Sequence, residues 1–420
     1  MLLGSIAVAE EKEGPFVIHD IALDPENPQI VYAATSNYGI LKSTDGGKTW
    51  ALSNQGLRSY THHAILVDPM HPRTLYAGAW GEGVSKSMDQ GGHWEEVNEG
   101  LGNTAIEALI LHPVDPEQIY AATTSGVFKS PDGGASWISF SEGLPVSKIE
   151  IFRCLLLLPS GPTELLLGTS QGLFKRVRGS PSWEAADGMV AKEHITVLAS
   201  HPKTDLLYAG TVKSGVLQSQ DGGKTWDHLG KPLRKVWVTD IVFDPQDSDV
   251  IYASTRGDGI LKSRDRGKTW QEANQGLSVM DIRSLAINPR TPEILYAGTS
   301  HQGLLKTING GKDWSPLTGY PVLSMAEILG SLSGPDSLQK KSSSVYVPPE
   351  FLKCNQCHGW GDPLLNSKNT YWRVSPNKRD WGLTTNRMRL RAKLSLEEFT
   401  KILKFLMAYT QSSESHKIPR

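Results

Sequence analysis

The sequence is poor in the features of disulfide-built, nucleic-acid-binding and membrane-spanning proteins. Its 420 residues contain only three cysteines, too few for a disulfide framework. The 43 Lys and Arg residues are balanced by 44 Asp and Glu residues, so the chain lacks the positive excess that binding to a phosphate backbone requires. No apolar run approaches the ~20 residues that cross a bilayer. We therefore expect no nucleic-acid partner and no integral membrane span.

Turn-forming residues and tryptophan are abundant instead. The chain has 41 Gly, 25 Pro and 12 Trp, with 39% hydrophobic residues. Frequent Gly and Pro separate short strands and interrupt long helices, so this composition is typical of an all-β protein with many turns. The length is sufficient for two or three domains and for a large core, which excludes a disordered chain.

A period of 44 residues runs through three quarters of the chain. It is marked by tyrosines in short strand-like runs, at Tyr32, Tyr76, Tyr120, Tyr208, Tyr252 and Tyr296. The fourth unit has Leu165-Leu166-Leu167-Gly168 in place of the tyrosine run, and a proline that ends an apolar run precedes all seven positions, at Pro25, Pro69, Pro113, Pro159, Pro202, Pro245 and Pro289. Each of the seven units divides into four short strands, which is typical of a propeller blade. The sequence predicts an all-β seven-bladed propeller over residues 16–320.

An octet that is repeated within the chain follows each tyrosine, as in Ser43-Thr-Asp-Gly-Gly-Lys-Thr-Trp50. It recurs around Asp89, Asp132, Asp221 and Asp265, with a variant at Asn309 and only a remnant, Ser182-Trp183, in the fourth unit. These octets resemble the Asp-box of sialidase-like, sortilin-like and plastid photosystem assembly-factor-like β-propellers. An Asp side chain accepts hydrogen bonds from backbone N–H groups shortly after it, and the glycines adopt positive φ. The octets are therefore predicted to form outer hairpin turns, and a catalytic role for their Asp residues is disfavoured.

The mouth of the central channel is predicted from the residue six positions before each proline. These seven residues are all polar: His19, His63, Glu107, Arg153, Thr196, Thr239 and Arg283. The loops between second and third strands should add Tyr38, Trp80, Lys213, Arg256 and His301. We take His19, His63, Glu107, Arg153, Arg283, Trp80 and Arg256 as candidate partner-binding residues. A solvated polar mouth without a ligand remains the alternative.

Beyond residue 321 the period stops. Residues 321–345 are predicted to be a linker and residues 346–420 a second domain, which begins close to Cys354-Asn-Gln-Cys357-His358. C-x-x-C-H is the attachment signature of haem c, in which two thiols bond the haem vinyls and the imidazole ligates iron. Incomplete structural zinc binding and a thioredoxin-like redox pair are the alternatives.

An amphipathic helix is predicted from Ser395 to Tyr409. Together with the haem motif it resembles the C-terminal helix of small monohaem cytochromes c. The resemblance implies an all-α domain, a proximal iron ligand at His358 and a distal methionine ligand, for which Met388 is the candidate. Met407 lies within the predicted helix, and His416, another side chain or an open site are further alternatives.

Charge and the start of the chain bear on partners and location. Residues 346–420 contain 13 Lys and Arg against 6 Asp and Glu, which favours an acidic redox partner or docking on the propeller.

Residues 1–15 resemble the end of a secretion signal, with Ala7-Val-Ala9 before an acidic run. Because haem c is attached outside the cytoplasm, a periplasmic or otherwise extracytoplasmic location is expected.

The sequence thus predicts an electron-carrying c-type cytochrome whose propeller serves as a docking or scaffold module, and it favours a non-enzymatic role. The alternative is an oxidoreductase or glycoside hydrolase with a substrate site at the channel mouth.

Overall fold

Seven antiparallel sheets of four strands form a ring. The computed structural model describes residues 16–158, 163–229 and 235–321, and each sheet in this part consists of four strands that are consecutive along the chain. The predicted all-β seven-bladed propeller is confirmed. Within the described ranges, no helix is long and apolar enough to cross a membrane. The signal remnant, the rest of the linker and the predicted haem domain lie outside the described residues.

The strands repeat in order through blades one to seven. The first strands are Ile18–Leu23, His62–Val67, Ile106–His112, Phe152–Leu157, Ile195–Ser200, Val238–Phe243 and Ile282–Ile287. The second strands are Val31–Thr35, Leu75–Ala79, Asp115–Thr123, Thr163–Thr169, Leu207–Thr211, Ile251–Thr255 and Leu295–Thr299. The third strands are Ile40–Ser43, Gly83–Ser87, Gly126–Ser130, Gly172–Val177, Val216–Ser219, Ile260–Ser263 and Leu304–Thr307. The fourth strands are Ala51–Leu52, Glu95–Glu96, Ile138–Ser139, Trp183–Ala185, Asp227–His228, Gln271–Glu272 and Ser315–Pro316.

Two short 3-10 helices, Val146–Lys148 and Gly188–Lys192, lie in the connections on either side of the fourth blade. First strands of neighbouring blades contact each other all round the ring, so they are the innermost strands. The residues that open them therefore surround the channel.

The hydrophobic core is divided among the interfaces between blades. Seven clusters of buried side chains each combine residues from two neighbouring blades, as in the contact of Tyr32 and Ile40 with Ile65 and Leu75. A second strand such as Val31–Thr35 is buried at every position because each blade is covered on both faces. Stability of the ring therefore depends on contacts between blades as well as on pairing within them.

Five of the six repeated tyrosines donate a hydrogen bond to the next blade, and Tyr120, which precedes the blade without an Asp-box, donates to Gln118 of its own blade. The Tyr76 hydroxyl donates to the Gly133 carbonyl at 3.1 Å and the Tyr252 hydroxyl donates to the Gly310 carbonyl at 3.0 Å, in both cases across to the Asp-box turn of the following blade. The same carbonyl of Gly310 also accepts from Lys262 Nζ at 2.7 Å. The 44-residue recurrence of tyrosine thus reflects a contact between blades.

The ring closes without exchange of a strand. Tyr296 and Lys306 of the seventh blade both donate to the Gly46 carbonyl of the first, at 3.0 and 2.7 Å. The Trp50 backbone N–H donates to the Gly319 carbonyl at 3.0 Å. Closure therefore repeats the contacts found between other neighbours and is held by packing and hydrogen bonds.

The Asp-boxes form the predicted turns. Ser43 donates to Asp45 Oδ1 at 2.8 Å, and the Thr49 hydroxyl donates to Asp45 Oδ2 at 2.6 Å. This hydrogen bond from Thr49 is the main reason that the pKa of Asp45 lies below its usual value. The carboxylate is committed to its own turn on the outer edge, as expected for a structural residue.

The fourth blade lacks the box and uses an arginine in its place. Arg176 Nη1 donates to the Pro181 carbonyl at 2.6 Å, and its guanidinium carbon lies 3.7 Å from the centre of the Phe140 ring in the preceding blade. One side chain thereby closes the turn and contacts the neighbouring blade.

Candidate binding site at the mouth of the channel

The seven residues predicted at the mouth are all extra residues in β-bulges. In each innermost strand the pairing with the second strand skips one residue, and the skipped residues are His19, His63, Glu107, Arg153, Thr196, Thr239 and Arg283. A bulge leaves its extra residue outside the regular pairing and redirects its side chain. The fold therefore places one polar side chain per blade at the same level of the channel.

A residue just after the second strand supports several of these side chains. His19 Nε2 lies 2.7 Å from Ser36 Oγ, and Arg283 Nε donates to Ser300 Oγ at 2.6 Å. In the second blade the ring of Trp80 stands at the same place and lies 5.3 Å from the ring of His63. The predicted role of Trp80 as a mouth residue is therefore consistent with its position.

The side chains of blades one to four form a continuous chain of contacts. The rings of His19 and His63 lie 4.4 Å apart, and His63 Nδ1 is 3.9 Å from Glu107 Oε2. The same oxygen is 3.6 Å from Arg153 Nη1. Two imidazoles, one carboxylate and one guanidinium from four different blades are thus brought together.

Charge at the mouth disfavours protonation of His19. Its pKa lies well below the usual value, first because of burial and then because His63, Arg283 and Arg153 add positive charge around it. Since Arg153 belongs to the fourth blade and Arg283 to the seventh, these groups face a common space from different sides. The histidine is neutral at physiological pH.

The remaining predicted residues take other roles. Thr196 and Thr239 donate to the carbonyls of Val238 and Ile282 in the following blades, both at 2.6 Å, so they join blades together. Arg256 Nε lies 3.4 Å from Asp281 Oδ2, and its guanidinium carbon lies 4.5 Å from the ring centre of Trp237. Arg256, directly after the second strand of the sixth blade, is therefore held against the start of the seventh blade.

Sequence reasoning missed two carboxylates directly after the bulges. Asp20 accepts from the N–H of Ile65 in the next blade at 3.0 Å, and Asp240 accepts from that of Leu285 at 2.8 Å. Burial raises the pKa of Asp20 to about 7, with a further contribution from Asp240, and raises the pKa of Asp240 to about 6. The sequence feature that could have identified both carboxylates is a charged residue within an otherwise apolar innermost strand.

His194 is a third residue that sequence reasoning missed, and the charge of Arg153 acts on it. It lies at the start of the fifth blade, and its pKa is lowered to about 4 by burial and by the charge of Arg153. Among the described residues, no group of three or more His, Cys, Asp or Glu side chains is placed to hold a metal ion. The mouth is thus a polar site whose cationic groups come from several blades.

The predicted haem ligands Cys354, Cys357, His358 and Met388 lie outside the described residues.

Comparison with known proteins supports the propeller fold. The sequence model of sortilin, neurotensin receptor 3, matches residues 214–325. No curated protein matches the chain. The GH74 xyloglucanase from Xanthomonas campestris superposes with a TM-score of 0.61 at 17% identity, over 75% of this chain and 56% of that one. The chain thus spans about half the length of the GH74 structures it matches.

Two further structures are similar over most of the ring. YCF48 bound to D1 peptide gives a TM-score of 0.56 at 17% identity, over 70% of this chain and 94% of that one. The extracellular domain of a one-component system from B. thetaiotaomicron gives 0.56 at 13% identity, over 70% and 38%. At these identities the likeness shows the fold.

Proposed function

We propose that the protein is an extracytoplasmic c-type cytochrome that carries electrons and that its propeller binds a partner protein. The observation that carries the haem assignment is the sequence Cys354-Asn-Gln-Cys357-His358. Its two thiols and adjacent imidazole match what covalent attachment of one haem c requires.

The structure of the propeller bears on the zinc alternative. A structural zinc site needs about four nitrogen or sulfur ligands, and Cys154 is the only other cysteine. Its side chain packs against the hydrophobic core between the fourth and fifth blades, and burial raises its thiol pKa to about 12. Since metal binding uses the thiolate, this thiol is poorly suited to complete a zinc site. The donor set therefore fits haem better.

Haem c, when bound, supplies one-electron oxidation and reduction at its iron. Cys354 and Cys357 would hold the macrocycle, and His358 and Met388 would be the protein's ligands to its iron. Two protein ligands on the iron would exclude small ligands and suit electron transfer.

Haem attachment is the first test. The full chain, exported in a host with cytochrome c maturation machinery, should contain one covalent haem, measured as its pyridine complex. Replacing Cys354 and Cys357 with alanine should abolish attachment, whereas Cys154→Ala is the matched control and should keep it. A wild-type protein without covalent haem would exclude the proposal.

The axial ligand is tested separately. Met388→Ala should remove the weak sulfur-to-iron charge-transfer band of the ferric protein and open the iron to carbon monoxide. Met407→Ala should leave both properties unchanged. If Met388→Ala leaves both properties unchanged, another group is the second protein ligand to the iron.

The channel mouth supports the docking role of the propeller. It gathers His19, His63, Glu107 and Arg153 from four blades on one surface. A propeller of similar fold, YCF48, has been solved with D1 peptide bound, and another similar propeller is an extracellular domain. These likenesses support a peptide-binding, extracytoplasmic module.

An enzyme with its substrate at the mouth is the second candidate, and the raised pKa values of Asp20 and Asp240 favour it because a general acid needs such a group. However, both carboxylates accept backbone hydrogen bonds that join blades. Replacing His63, Arg153 and Arg283 together separates the two functions. If the triple variant loses the complex with a redox partner but keeps its rate of substrate turnover, the result supports docking. If it loses substrate turnover, the result supports an enzyme with its substrate at the mouth.

A further inference from the structure

The rings of His19 and His63 are tilted against each other with their centres 4.4 Å apart, and each ring has one nitrogen near an oxygen atom that can accept from an imidazolium. His19 Nε2 lies 2.7 Å from Ser36 Oγ, and a hydroxyl can donate to a neutral imidazole or accept from a protonated one. His63 Nδ1 faces Glu107 Oε2 at 3.9 Å, within reach of an ion pair after protonation. Protonation therefore costs neither histidine its polar contact.

The surroundings of His62, the residue before His63, differ from those of His19 and His63. It is 1% exposed, and its Nδ1 has no hydrogen-bond partner. Burial lowers its pKa to about 3. Burial therefore disfavours an imidazolium at His62, whereas His19 and His63 each have an oxygen atom near one ring nitrogen.

Positive charge across the mouth opposes that gain in the empty site. Arg153 from the fourth blade and Arg283 from the seventh act on His19 together with His63. The titratable or charged groups around the pair are His62, Glu107, Arg153, His194, Asp281 and Arg283, with Arg256 beyond Asp281 and Asp20 and Asp240 in the adjacent channel wall. Burial and His63 lower the pKa of His19 more than the arginines do, and a bound anion would offset the contributions of all these positive charges.

We propose that the mouth binds a carboxylate group and takes up a proton on the His19–His63 pair as it does so. The proton comes from solvent, and the imidazolium then lies between the bound carboxylate and the oxygens of Ser36 and Glu107. This inference deepens the proposed docking function by naming the chemistry of the group that enters the mouth. It does not depend on haem.

Calorimetry on the full chain, exported in the host with cytochrome c maturation machinery, tests the coupling. Succinate is titrated at pH 6.5 in two buffers of different ionisation enthalpy, with succinamide as the uncharged analogue and a pentaglutamate peptide as the polymeric source of carboxylates. We expect net uptake of about one proton per carboxylate ligand bound and an affinity that rises up to about tenfold per pH unit as the pH falls. Binding of succinate, of the peptide or of both, with proton uptake, supports the proposal and identifies the source.

Variants locate the proton. His19→Gln and His63→Gln should each reduce proton uptake, and Arg153→Gln should weaken carboxylate binding. His93→Gln, at an exposed Asp-box turn, is the control and should change neither quantity. Absence of binding by both carboxylates, binding without proton exchange, or equal binding of succinamide would overturn the inference. Haem content, measured on the same preparations, tests the cytochrome assignment independently.

Discussion

Raising the pH from 4 to 7.5 should destabilise the wild-type propeller relative to a variant in which Asp20 is asparagine. Burial raises the pKa of Asp20 from 3.8 to about 7 in the folded protein. The folded state therefore binds this proton more tightly than the unfolded state. The stability that results is present below pH 4 and is lost as the pH rises through 7.

The magnitude follows from the difference of about three pKa units. At about 1.4 kcal/mol per unit, the Asp20 contribution is about 4 kcal/mol as an upper value. Asn is uncharged at every pH, as the protonated Asp is, and its NH2 group replaces one of the two oxygens that accept from the N–H groups of Ile21 and Ile65, which adds a cost that does not change with pH. The difference in free energy of unfolding should therefore grow in favour of Asp20→Asn across this range.

The difference in free energy of unfolding between wild type and Asp20→Asn cancels the contributions of the titrating histidines. The lowered pKa values of His19, His62 and His194 reduce stability as the pH falls below 6.5, which opposes the Asp20 effect in wild type alone. These contributions are common to both proteins and cancel. Urea unfolding followed by tryptophan fluorescence at closely spaced pH values measures the difference directly.

Asp132→Asn supplies the control. Asp132 lies in an Asp-box, where the hydrogen bond from the Ser136 side chain is the main cause of its lowered pKa. Its contribution is complete above pH 4 and is lost only at lower pH, so its difference from wild type should stay flat between pH 5 and 7. A flat difference for Asp20→Asn over that range would refute the account of a destabilising buried charge.

Two further pairs of substitutions test hydrogen bonding and packing in the ring. Tyr296→Phe at the closing interface and Tyr252→Phe at an internal interface each remove an equivalent hydrogen bond. Both should therefore lower the free energy of unfolding by about 1 kcal/mol. A much larger loss for Tyr296→Phe would mean that ring closure depends on the Tyr296 hydrogen bond more than an internal interface depends on its own. Gly56→Ala should destabilise the propeller far more than Gly81→Ala in thermal unfolding, because both have positive φ but only at Gly56 would the new methyl overlap the Trp94 carbonyl. Equal losses for the two glycines would contradict this steric explanation.

The candidate site was predictable in part because bulges recur with the repeat. Alignment of the units on their prolines identified His63 and Arg153 at equivalent positions, and the structure brings both to Glu107. The same alignment treated Thr196 as a mouth residue, whereas its hydroxyl donates to the next blade. A threonine at this position has too short a side chain to reach past the neighbouring backbone.

The roles of the repeated aromatic residues required the assembled ring. The spacing of the tyrosines predicted blades, but Tyr76 could not be assigned its acceptor, which lies 57 residues away in the next blade. Likewise Trp94 Nε1 donates to the Ser53 carbonyl of the preceding blade at 2.7 Å. Local pattern gives the strand and the turn, and only packing gives the neighbour.

The sequence by itself determined the number of blades, their four strands and the turns of the Asp-boxes. These features depend on local chemistry that repeats every 44 residues or so: a strand with both faces apolar, a proline, and an Asp whose acceptors serve its own turn. Tertiary structure alone decided the charge state of the channel. His19 and Asp20 are neighbours in sequence, yet their pKa values shift because of burial and of groups in blades two, four, six and seven, which only ring closure brings near them.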